Sequence, residues 1–398
     1  MRRVFNMGLG SILNRAGPQM VFSEAVSVAE NAPRPRRPVL GEKLTVVLRV
    51  LWNGGVARAA IEEARRLGGL FVLREAAYDY DLSSVDLRVA RRGEGTLTPL
   101  FWAITSIYAK QRGRDATVDL DLILTKWREV RGPALFHDQF AGIMGLLRRE
   151  MRGEEYAVYI HEVALGSESI KYALPAILER MVLGGASAIF TNSRWNARVL
   201  EEYGFRAAVA YLGTYPQPRI SLEREPIVLA VSMWDEGRRP RWYGELARRL
   251  RRGRLVMAGS WARADAMVRF AREYPEVEVT GRLSEGALRD LYSRASALVR
   301  FGFNERGPGL GVLEAMGYGV VPVVNDGLGS KEFLENGVDG FVVRDYEEAA
   351  QAISDLLDDE PRWRAMSLAT WEKSKRFTWN AHADVIREEM RRRGLLRS

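Results

Sequence analysis

The residues best suited to chemistry sit in a few short loops. Asn304-Glu305-Arg306-Gly307-Pro308-Gly309-Leu310-Gly311 runs into Val312-Leu313-Glu314-Ala315-Met316, an apolar stretch of helical character. Glycines at a strand-to-helix turn let backbone N–H groups approach an anion, and the helix dipole favours negative charge there. Gly309, Leu310 and Gly311 therefore suit a diphosphate. Glu314 falls about one turn into the helix, where a carboxylate can accept hydrogen bonds from vicinal sugar hydroxyls or simply complement the dipole. A second loop, Ser232-Met233-Trp234-Asp235-Glu236-Gly237-Arg238-Arg239-Pro240, carries two adjacent guanidiniums. Such a pair at a strand's carboxyl end can clamp a leaving diphosphate without a metal, whereas Arg241 reads as surface charge. Gly54 and Gly55, in Trp52-Asn53-Gly54-Gly55-Val56, form another anion-ready turn or a tight structural one. His137, in Phe136-His137-Asp138-Gln139, directly follows an apolar run, the place from which an imidazole could face a cleft.

The elements that must position these loops alternate. Near-continuous apolar runs, as expected of strands buried on both faces, fall at 44–48, 70–73, 134–136, 157–160, 188–191 and 208–212. Amphipathic stretches such as 56–67, 170–182 and 193–203 separate them. A turn- and charge-rich segment, 216–226, interrupts. The alternation then resumes with strands at 227–231, 255–258, 277–280, 297–300, 320–324 and 341–343, and the stretch 363–393 reads as helical. The pattern predicts an α/β chain of two doubly wound, Rossmann-like units facing across a cleft, with ligands beyond the carboxyl ends of the strands. Residues 1–40, ending in Ala32-Pro33-Arg34-Pro35-Arg36-Arg37-Pro38, read as a flexible extension. Units at 41–220 and 221–378 follow, and 379–398 form a last helix.

Composition narrows the function classes. With 398 residues and 47% hydrophobic content the chain can build two cores. It has no Cys, which excludes a thiol nucleophile, a disulfide scaffold and thiolate-held zinc or iron–sulfur clusters. Three His are too few for most imidazole metal cages. A net charge of +8 suits anionic ligands or an anionic membrane surface, and no nucleic-acid module signature accompanies it.

Taken together, 297–343, with Gly309-Leu310-Gly311-Val312-Leu313-Glu314-Ala315-Met316 and Gly337-Val338-Asp339-Gly340-Phe341-Val342-Val343, resembles the donor-binding half of the retaining glycosyltransferases of family 4, which have the GT-B fold. Gly54-Gly55, His137-Asp138, Thr191-Asn192-Ser193 and Phe377-Thr378-Trp379-Asn380 resemble further motifs of that family in the same order. The resemblance implies a metal-independent hexosyltransferase that moves a sugar from a nucleotide-diphosphate sugar to an acceptor hydroxyl on a glycan, a lipid-linked or a small-molecule acceptor. It implies no cofactor beyond the nucleotide sugar, a cytoplasmic protein at or near the inner membrane face, and a final helix crossing back onto the first unit. It further implies Glu314 on the ribose, Glu305 on the sugar, Arg238 and Arg239 on the diphosphate, and His137 near sugar and acceptor. Two departures stand out. Eight residues separate Glu305 from Glu314 where the family has seven, which lets Arg306 compete for the first acidic position. Met233 stands where the family usually carries an Arg. A nucleotide-sugar epimerase on the same fold, or a non-catalytic nucleotide-sugar binder, is the alternative. Asp79-Tyr80-Asp81 and Asp119-Leu120-Asp121 could hold a divalent ion in principle, but read as solvated acid away from the donor-side motifs. Transfer is accordingly expected to survive a chelator. Complete loss, restored by magnesium or manganese, would overturn the metal-free expectation.

Overall fold

The computed structural model of the chain describes residues 43–90, 115–167 and 172–397; the extension at 1–40 lies outside the described residues. Strand β1 (Leu44–Leu51) leads through Gly54 into helix α1 (Gly55–Leu67), and β2 (Gly68–Glu75) and β3 (Asp86–Val89) follow. Helix α2 (Asp115–Lys126), β4 (Ala134–His137), α3 (Asp138–Arg152), β5 (Ala157–Ile160) and α4 (Ala173–Gly185) come next. The unit closes with β6 (Ala188–Thr191), α5 (Arg194–Glu202) and the short β7 (Ala208–Val209). Its seven strands run parallel in the order β3-β2-β1-β4-β5-β6-β7.

The second unit carries β8 (Glu225–Val231), α6 (Pro240–Ala247), β9 (Arg254–Ala258), α7 (Ala264–Glu273), β10 (Glu278–Gly281) and α8 (Glu285–Arg294). Then come β11 (Ala295–Arg300), α9 (Leu310–Gly317), β12 (Val321–Asn325) and β13 (Phe341–Val343). Its six parallel strands are ordered β10-β9-β8-β11-β12-β13, so the order reverses at β8 and β11, the strands that precede the Arg238 and Glu305 loops. That reversal opens a crevice at the strands' carboxyl ends.

The stretch read as helical over 363–393 is made by α11 (Glu360–Ser374) and α12 (Trp379–Arg392), preceded by α10 (Tyr346–Asp358). The break between them falls where Thr378 caps α12, its hydroxyl accepting the Ala381 N–H at 3.1 Å. Helix α12 leaves the second unit and packs on the first. Ala383, Ile386 and Met390, spaced to share one face, join the core formed by Leu44, Ile61 and Phe190. The two crossings between units run side by side, with Thr214 N–H donating to Phe377 O at 2.7 Å. A β-carbon on Gly213 would lie 2.4 Å from the Trp379 backbone nitrogen, so only glycine permits this approach. Because Ile386 is fully buried in a core it shares with first-unit residues such as Leu44, Ile61 and Phe190, Ile386→Ala is expected to destabilise the first unit by about 2–5 kcal/mol. Denaturant unfolding of the purified chain measures this, and an unchanged midpoint would mean that α12 does not hold that core together.

Candidate active site

The cleft between the units contains two cavities of about 510 Å³ each. The first is lined by Arg58 and Tyr80 from the first unit and by Glu285, Arg289, Tyr292 and Glu314 from the second. Glu314 reaches it from the second turn of α9, whose N-terminus begins at Gly309 in a left-handed conformation (φ 68°). A β-carbon on Gly55 would lie 3.9 Å from the Leu310 Cβ, so the glycine turns of the two units face each other. Burial raises the Glu314 carboxyl above its ordinary value, partly opposed by Arg58 across the cleft and by the Tyr292 O–H, which donates to it at 3.2 Å. Arg58 also pairs with Glu285 and lies over the Tyr80 ring at 4.9 Å. A cation one turn into α1 thus pairs with Glu285 of the opposite unit and acts electrostatically on Glu314.

The second cavity is lined by Arg238, Asn304, Glu305 and Arg306 with Glu162, Tyr172 and Asn196 opposite. Glu305 is clasped from two sides. Arg300 Nη2, at the end of β11 and only 6% exposed, donates to both its oxygens at 3.0 and 2.9 Å, and Arg238 pairs with it as well. The Glu305 backbone bonds to Gly327 O at 2.9 Å and to the Gly329 N–H at 2.8 Å, which fixes the loop that carries the extra residue. Arg306 points elsewhere, donating to Val163 O of the first unit at 3.0 Å. Among the described residues, the non-glycine positions with positive φ are Asp138, Arg239 and Asn304. Each directly follows or closes a strand-end loop at the cleft, where backbone strain is held by its surroundings.

Several expectations need correction. Arg239 does not join Arg238 in a fork: its left-handed backbone (φ 46°) turns its guanidinium over the Phe303 ring at 4.0 Å, with Trp242 beside it at 5.8 Å. His137 does not face the cleft. It is fully buried, its Nε2 2.7 Å from Glu63 and its Nδ1 2.9 Å from His161 Nε2. His161, one residue past β5 and 6% exposed, is the imidazole that lines a cavity on this side, together with Asp138, Gln139 and Tyr172. Nor is the first Asp-x-Asp remote from the donor-side motifs. Asp79 pairs with Arg282 of the second unit at 3.0 Å, and Tyr80 and Asp81 line the Glu314 cavity. Asp121 of the second pattern is buried in α2 rather than solvated. Arg58, Arg300, Glu63, His161 and His382 were not singled out from sequence. For Arg58 the signal was present, as a cation placed one turn after a glycine pair.

Residues 225–359 match the family of glycosyl transferases group 1. The matched segment is about a third of the chain and most of its second unit. The described residues have the GT-B fold. The chain is similar to HepE of Anabaena, solved with UDP and glucose, at 15% identity and a TM-score of 0.70, over 88% of this chain and 100% of that one. Sucrose-phosphate synthase of Thermosynechococcus elongatus gives 16% identity and a TM-score of 0.65, over 88% of this chain and 98% of that one. A glycosyltransferase of Rickettsia africae gives 14% and 0.64, over 89% and 99%. No curated protein matches the chain by sequence. The Glu314 and Glu305 cavities both lie in the cleft, each lined from both units. Arg238 faces that cleft while Arg239 stacks on aromatics, so their substitutions should separate. Arg238→Ala is expected to lower transfer by roughly two orders of magnitude or more, and Arg239→Ala by much less. Steady-state rates of the two variants measure this; equal losses would put both guanidiniums in the clamp.

Proposed function

We propose that the protein is a retaining, metal-independent hexosyltransferase of the family 4 type, taking its sugar from a nucleotide-diphosphate donor. The observation that carries this reading is the cleft carboxylate Glu314, set beside the Gly309–Gly311 helix start and faced by Arg58 of the other unit. A buried carboxylate suits the ribose hydroxyls, and the helix N-terminus with Arg238 suits the diphosphate, where negative charge grows as the glycosidic bond breaks. Glu305 carries two guanidiniums, which makes it a poor nucleophile and a good acceptor for sugar hydroxyls once Arg238 turns to phosphate. The departing phosphate is then the base nearest the acceptor hydroxyl. Because HepE was solved with UDP, uridine diphosphate sugars are the first donors to test. The acceptor is a glycan or a lipid-linked hydroxyl. The +8 charge supports contact with an anionic membrane face, and no helix among the described residues is long and apolar enough to cross a membrane.

A thermal-shift screen with uridine, guanosine and adenosine diphosphates and their sugars tests the reading. A ligand at a hundredfold its Kd should stabilise the fold by about 2.7 kcal/mol. Glu314→Ala should lose the shift for nucleotide diphosphate and nucleotide sugar alike. Glu305→Ala should keep the former while turnover falls, since its contact is with the sugar. No shift with any nucleotide would sink the proposal, and a silent Glu305→Ala beside an inactive Arg306→Ala would reassign the sugar contact.

A further inference from the structure

All three histidines of the chain are joined to one carboxylate, two directly and the third through His137. Glu63 of α1 is fully buried; its Oε2 lies 2.7 Å from His137 Nε2 and its Oε1 2.8 Å from His382 Nε2. His137 Nδ1 in turn lies 2.9 Å from His161 Nε2, and His382 Nδ1 lies 2.8 Å from the Tyr211 carbonyl. The Tyr159 ring stacks on His161 at 4.4 Å and on His137 at 5.5 Å, and its hydroxyl donates to Ala210 O at 2.5 Å. The neighbouring Glu62 is turned out of this group toward Arg65, Arg66 and Tyr215.

Counting protons over these contacts fixes their directions. The Tyr211 carbonyl can only accept, so His382 Nδ1 carries hydrogen. Glu63 Oε1 also faces His382, so that contact needs its own proton, as does the contact of Oε2 with His137 and that of His137 with His161. Four contacts thus hold four protons. A carboxylate with three neutral imidazoles supplies three, so the group has taken up one and its net charge is zero. Burial disfavours any net charge. It would raise Glu63, yet the two imidazoles on it hold it down to about 2, which leaves the extra proton on a ring. His382, with an acceptor at each nitrogen, is the ring that takes it. His137 then donates from Nε2 and must accept at Nδ1, which requires His161 to donate from Nε2. His161 is left with a bare Nδ1 and, by burial first and then by His137, is held well below the ordinary imidazole value. Its main-chain carbonyl is fixed by Asn192 and Asn196, each donating at 3.1 Å, and Asn196 lines the Glu305 cavity.

We propose that Glu63, His137 and His382 are positioning residues that lock His161 in the Nε2–H tautomer, so that its Nδ1 accepts a hydrogen bond from a substrate hydroxyl entering the cavity it lines, which shares Glu162 and Tyr172 with the Glu305 cavity. The proposal takes from the transferase reading only that the hydroxyl belongs to the donor sugar or the acceptor. It makes α12, which follows the donor unit in sequence, a working part of the acceptor-side unit through His382.

Three imidazoles make the test direct. Nitrogen-15 NMR of the untagged, histidine-labelled chain should show at neutral pH one doubly protonated ring and two neutral rings in the Nε2–H tautomer. Three neutral rings, or a neutral ring with Nδ1–H, would overturn the proposal whatever the enzyme's substrate. In kinetics, His382→Gln removes the cation beside Glu63, so the group should take its compensating proton on His137, which forces the opposite tautomer on His161. The acid limb of the kcat–pH profile should therefore move to higher pH by about one unit or more. Glu63→Gln should move it to lower pH and reduce kcat with donor KM little changed. Profiles superposable on the parent, with only stability lowered, would make the cluster structural and overturn the proposal. His161→Gln separates the two hydroxyls. Loss of transfer with donor hydrolysis retained identifies the acceptor, and loss of both identifies the donor sugar. Retention of both overturns the proposal.

Discussion

A carboxylate sealed from water and held by two imidazoles organises the first unit of this molecule. Glu63 sits on α1, the helix that begins at the Gly54-Gly55 turn and sends Arg58 into the cleft. His137 ties it to β4 and His382 to α12, elements separated by well over two hundred residues. A buried charge missing either partner would be costly, so helix, sheet and returning C-terminal helix are obliged to assemble together. The same helix is thereby set in both rotation and height, which places Arg58 opposite Glu285 and Glu314.

The cleft is correspondingly divided by charge. On one side Arg58 of the first unit pairs with Glu285 of the second and lowers the charge cost of burying Glu314. On the other, Arg238 and Arg300 satisfy Glu305 within the second unit. On the proposed reading, a diphosphate arriving between them competes with carboxylates for guanidiniums already in place. Each exchange replaces one anion by another at the same cation, so the change in local charge is small and the pre-set geometry is kept. Arg306, bonded to Val163 O, adds a contact between units that leaves neither cavity blocked.

Much of this architecture was legible because parallel strands buried on both faces are written as apolar runs with little alternation. Strand β3 was not, since Asp86–Val89 is a partly exposed edge strand in which charged and apolar residues alternate over four positions. The strand-end position of His137 was legible, but its direction was not. Successive side chains leave a strand on opposite faces, and whether a face meets helix or cleft depends on how the units dock. The same limit hid His161, whose residue type and strand-end place were equally suggestive. Asp79-Tyr80-Asp81 lies far in sequence from Arg282 and Glu314, and only the facing of the two sheets brings them together. Arg239 was misplaced for a local reason: one left-handed residue between a turn and Pro240 redirects a side chain, and adjacency to Arg238 carries no record of it.

The paired crossings between the units have a mechanical consequence. The chain passes between units near Thr214 and again near Thr378, and these passages lie against each other as a short parallel ribbon, packed so closely at Gly213 that a methyl group would not fit. Two strands laced together resist shear along their length and separation across it, but bend readily out of their plane. Relative travel of the units is thus confined largely to swinging about one line, like a book about its spine. Contacts across the gap, among them Arg58 with Glu285, Asp79 with Arg282, Arg306 with Val163 and the Arg194 and Trp195 N–H groups with Glu332, must then break or form in a sequence set by the lever arm of each from that line.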